Sequence, residues 1–66
     1  MTEVGDRNVE MTDRRRRIDQ LVMSADRYDS FAETAELMGD DAGADRFRML
    51  ATRRRLAAME LLDEIS

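Results

Sequence analysis

The chain is 66 residues long, carries a net charge of −4, and 39% of its residues are charged. It contains no cysteine and no histidine, which excludes disulfides, thiolate metal centres and an imidazole general base. A domain of this size buries only about 60% of its unfolded surface and is marginal alone, so oligomerisation is the staple that remains.

Proline is absent, and alanine, leucine, methionine, glutamate and arginine, all good helix formers, dominate. The composition is that of an all-α protein. Every cation is an arginine; a GC-rich coding sequence gives the same bias without selection for bidentate recognition. No apolar run approaches the roughly 20 residues that span a bilayer, and no signal-peptide core is visible. A cytoplasmic protein without membrane contact is the expectation.

Residues 1–11 lack sustained periodicity and read as a flexible N-terminal arm. Thr12 then offers an N-cap, with Asp13 in the first turn where acid is favoured. From there Ile18, Leu21, Ala25, Tyr28, Ala32 and Ala35 follow the 3-4 rhythm of a heptad seam. Val22, Phe31 and Met38 widen that stripe, and Gly39 is placed to cap its end. The spacing predicts a first helix over about 12–38.

The stretch GDDAG, residues 39–43, is a turn signal in which Asp40 or Asp41 can cap the next helix. A second helix follows over about 42–65, with Ala44, Phe47, Leu50, Ala51, Ala58, Leu61, Leu62 and Ile65 on one broad arc. Two helices of similar length joined this tightly form an antiparallel hairpin. Alanines at the seam allow the backbones close approach.

A second apolar line runs down the second helix: Met49, Leu56 and Met59. The first helix carries a weaker extra pair, Met23 and Leu37. A lone hairpin cannot cover these residues, so they are candidates for a homodimer core, completing a four-helix bundle, or for a partner surface. Methionine suits adaptable contacts.

Charge is arranged in blocks. Folding the hairpin about residue 41 sets Arg14, Arg15, Arg16 and Arg17 beside Glu60, Asp63 and Glu64 at the end of the second helix, where the helix dipole also attracts cations. It sets Arg53–Arg55 beside Asp26 and Asp29, and Arg46 and Arg48 beside Glu33 and Glu36. Arg54 falls within the apolar arc, where an unpartnered guanidinium is too costly to bury. Asp29 falls within the facing arc, so a buried Asp29–Arg54 pair is expected, within one chain or between two.

No catalytic constellation is present. Ser24, Ser30 and Ser66 have no histidine to activate them, and GDDAGAD does not match a calcium loop. Glu33 and Glu36 lack the histidine that a di-iron bundle requires. No cofactor and no metal is expected. The sequence therefore points to a non-enzymatic interaction or regulatory module built from a self-associating helical hairpin. Two rival readings stand beside it: a nucleic-acid-binding regulator using Arg14–Arg17, and a structural oligomerisation unit of a larger assembly.

Overall fold

In a computed structural model, which describes the backbone of residues 2–65 and the side chains of residues 11–64, two helices pack against one another: α1, Thr2–Leu37, and α2, Asp41–Ile65. They form the antiparallel hairpin that the apolar spacing requires. The molecule measures 57 × 15 × 11 Å, one helix layer thick.

The first helix begins earlier than expected. Thr12 lies inside α1, and residues 2–11 continue the helix in place of an irregular arm. Nothing in that stretch breaks a helix except Gly5, whose penalty is about 1 kcal/mol. Extending a helix that has already formed avoids the cost of a new nucleus. At about 1.5 Å per residue, α1 is roughly 54 Å long and α2 roughly 37 Å. The start of α1 therefore overhangs the end of α2.

The turn is built from two residues. Gly39 adopts a φ of 81°, a left-handed conformation that costs glycine little. Its N–H donates to the Glu36 carbonyl at 3.0 Å, and the Asp40 N–H donates to the Ala35 carbonyl at 2.8 Å. This is the Schellman arrangement, and it satisfies carbonyls that the end of α1 leaves open. Asp40 then caps α2: its Oδ1 accepts from the Gly43 N–H at 3.0 Å, and its carbonyl accepts from the Ala44 N–H at 3.0 Å. Gly43 has no Cβ at the place where the Asp40 carboxylate folds back.

Among the described residues, the buried ones are all alanine: Ala25, Ala32 and Ala35 on α1, and Ala44, Ala51 and Ala58 on α2. On α2 they recur every seven residues, the period of a supercoiled seam. Small side chains let two helices meet near the short end of the usual 8–10 Å axial separation. The same closeness leaves no room between them for a large side chain. Ile18, Leu21, Tyr28, Phe47, Leu50 and Leu61 flank the seam and are half-buried. Among the described residues, no helix is long and apolar enough to cross a membrane.

Candidate interaction surface

A pair of helices in one layer has two broad faces, and the sequence makes them chemically different. Arg54 and Arg55 straddle the alanine seam of α2, since consecutive helical residues point about 100° apart. Each therefore belongs to a different face.

The face of Arg55 is laced with ion pairs. Nη2 of Arg55 reaches Asp26 Oδ1 at 3.2 Å and also donates to Asp29 Oδ2. Its pKa is raised above the ordinary arginine value, chiefly by the hydrogen bond to Asp29. Nearer the turn, Arg48 pairs with Glu36 across the seam and lies 3.8 Å from Asp45 on its own helix. Beyond Arg55, an open groove of about 260 Å³ is lined by Ile18, Val22, Arg55, Ala58, Met59 and Leu62.

The opposite face carries aromatic rings. Tyr28 and Phe31 on α1 meet Phe47 on α2, with ring centroids 6.3 Å and 5.5 Å apart respectively, and Tyr28 lies 6.4 Å from Phe31. These are ordinary separations for interacting rings. Phe31 remains 51% exposed even so. Toward the turn the cluster opens into a groove of about 350 Å³ lined by Phe31, Thr34, Ala35, Met38, Asp40 and Phe47. Leu21 precedes Tyr28 by seven residues on α1, and Leu50 and Leu61 continue the side of Phe47 on α2. The aromatic face is therefore mainly apolar from Leu21 to the turn on α1 and from Phe47 to Leu61 on α2, with Arg54 the cation between Phe47 and Leu61, while the same spacing brings Arg14 to this side nearer the start of α1.

Within one chain the expected Asp29–Arg54 pair is corrected. Asp29 bonds Arg55, and Arg54 is exposed; among the described residues no charged side chain is buried. The angular arc of α2 centred on Phe47, Ala58 and Leu61 includes Arg54. The actual seam is centred on Ala44, Ala51 and Ala58, which moves Arg54 to the aromatic side and turns Arg55 toward Asp29.

Of Arg14–Arg17, Arg15 reaches the end of α2, where it lines a groove with Ile18, Asp19 and Leu62. All four are exposed, yet none makes an ion pair with a described residue. Four consecutive residues spread around most of a helix, so few of them can face α2 at once.

No family model matches this chain, and no curated protein or solved structure does either.

Met23, Met49, Leu56 and Met59 are more than half exposed, and Leu37 is 90% exposed. Met59 lines the groove beside Arg55, whereas Met49 lines a separate groove of about 230 Å³ with Arg46, Leu50 and Arg53. Arg53 Nη2 lies 4.0 Å from the Met49 sulfur. The aromatic face was harder to find from spacing, because Tyr28, Phe31 and Phe47 all fit a buried stripe. The signal lies in the alanines: a seam made wholly of them displaces larger neighbours outward. Among the described residues, no group of three or more acidic side chains is arranged to hold a metal ion.

Proposed function

We propose that this chain is a non-enzymatic interaction module, a helical hairpin that completes its core by association. The observation that carries this reading is the identity of the buried residues: among those described, alanine alone is buried. An alanine offers few methyl or methylene groups, each worth about 0.8 kcal/mol when buried. A hairpin stapled by neither disulfide nor metal gains too little from six such residues to offset chain ordering. The larger apolar side chains are available to an associating surface.

The test is the dependence of thermal stability on protein concentration. A folded state that binds its like melts at a midpoint that rises with concentration. A midpoint unchanged across a hundredfold concentration range, together with a monomer mass by light scattering, overturns the reading.

One observation favours a second reading, a nucleic-acid-binding regulator. Arg14–Arg17 are exposed and free of ion pairs with described residues, as a phosphate-binding patch requires. Binding of this kind weakens steeply with salt. Absence of a mobility shift with duplex DNA or RNA at low ionic strength removes it, and the net charge of −4 weighs against it.

A further inference from the structure

We infer that the occupant of the aromatic face is a second copy of this chain, packed against Tyr28, Phe31 and Phe47 with Leu21, Leu50 and Leu61 around them. The inference rests on the self-association reading and assigns it a surface.

Two observations select the face. The first is area. The chain exposes 5537 Å², whereas a compact monomer of its 7.6 kDa mass exposes about 4,300 Å². The excess, roughly 1,200 Å², is larger than one partner's share of a standard interface, about 800 Å². The second is the asymmetry of the two faces. Arg48 and Arg55 already pair with Glu36, Asp26 and Asp29 across the seam on one side, so covering that side would strip water from charged groups. The aromatic side presents rings and aliphatic chains, the composition of a permanent homodimer core. Arg54, the cation between Phe47 and Leu61, has a long stem that can carry the guanidinium to the rim.

Beyond these observations, the occupant follows from when the cover is needed. A one-layer hairpin with an alanine core needs its large apolar residues covered whenever it is folded. A second copy is present at every moment the chain is made, whereas a transient partner is not. Two hairpins stacked on their aromatic faces make a two-layer, four-helix arrangement with the ion-paired faces outward.

Tyr28 supplies the measurement. It is the chain's one tyrosine, and there is no tryptophan, so intrinsic fluorescence reports the proposed interface directly. Iodide quenching of wild-type protein is followed across a dilution series, alongside the mass by light scattering. Two variants accompany it: Phe31→Arg on the aromatic face and Leu56→Arg on the outer side of α2. The expected result is a dimer in which Tyr28 is shielded and becomes quenchable on dilution. Phe31→Arg should weaken association by about 30-fold or more, and Leu56→Arg should leave it within about threefold. Should Phe31→Arg fail to fold, the wild-type quenching decides. A dimer whose Tyr28 is as quenchable as in the monomer overturns the face assignment but leaves self-association standing. So does a dimer lost with Leu56→Arg and kept with Phe31→Arg. A wild-type monomer that stays folded at high concentration overturns both.

Discussion

Asp29 accepts a hydrogen bond from Nη2 of Arg55 across the seam, and Asp26 shares the same nitrogen at 3.2 Å. The guanidinium thereby joins the C-terminal third of α1 to the middle of α2. Because the pair is exposed, its strength depends on ionic strength. Asp29→Asn should lower the thermal midpoint at low salt and match wild type near 1 M salt, where the screening length falls to about 3 Å. Melting at one fixed protein concentration checks it, with Arg54→Ala as the control that leaves the salt dependence of wild type unchanged.

The raised pKa of Arg55 sets a second expectation, for pH. A group whose pKa is higher folded than unfolded contributes stability below the unfolded value and loses it as pH rises through the folded one. For Arg55 that window lies at the alkaline extreme. The Arg55 contribution should thus be constant from neutral pH to pH ~10. Comparing wild type with Arg55→Gln across that range checks it; a difference that shrinks steadily toward pH 10 contradicts it.

The alanine seam should reject enlargement. Ala51 is fully buried in the seam between the helices. Ala51→Leu should cost about 1–3 kcal/mol by overpacking, read as a drop in the denaturant midpoint. Ala42→Leu, at an exposed position on the same helix, should change stability by about 0.5 kcal/mol or less.

The two turn glycines should behave differently. At Gly39 an added Cβ meets nothing within 4 Å, but φ of 81° remains strained for an L-residue, so Gly39→Ala should cost about 1–2 kcal/mol. At Gly43 the backbone is helical, and the Cβ meets the movable Asp40 carboxylate. There the weakened cap, worth about 1 kcal/mol, is offset by a similar gain in helix propensity. Gly43→Ala should be close to neutral, and chemical denaturation of both variants distinguishes the cases.

The hairpin was legible because its signals are local and agree. GDDAG marks the turn, Gly39 and Asp40 carry the cap chemistry, and the alanines fall on a seam period. The ion-pair partners were legible as neighbourhoods but not as atoms. Folding about residue 41 brings Arg53–Arg55 to Asp26 and Asp29, yet a rotation of one helix by a few tens of degrees decides between Arg54 and Arg55. Only the packing of Ala44, Ala51 and Ala58 fixes that rotation. The early start of α1 was illegible for another reason: residues 2–11 have no apolar stripe, and helix propagation does not require one. The aromatic face escaped notice because periodicity says which residues share a side, not how far into the seam each one reaches.

The alanine seam also limits how such a chain can change over generations. Most positions on the hairpin are exposed and can exchange among helix-forming residues with little penalty. The six buried alanines cannot. A larger side chain forces the helices apart, and the smaller alternative, glycine, weakens each helix by about 1 kcal/mol. Neutral drift would therefore erase much of the exposed sequence while leaving small residues spaced by seven at Ala25 and Ala32 and at Ala44, Ala51 and Ala58, with Ala35 three residues after Ala32. A distant descendant would be recognisable by the rhythm of its alanines long after its outward-facing charges had been replaced.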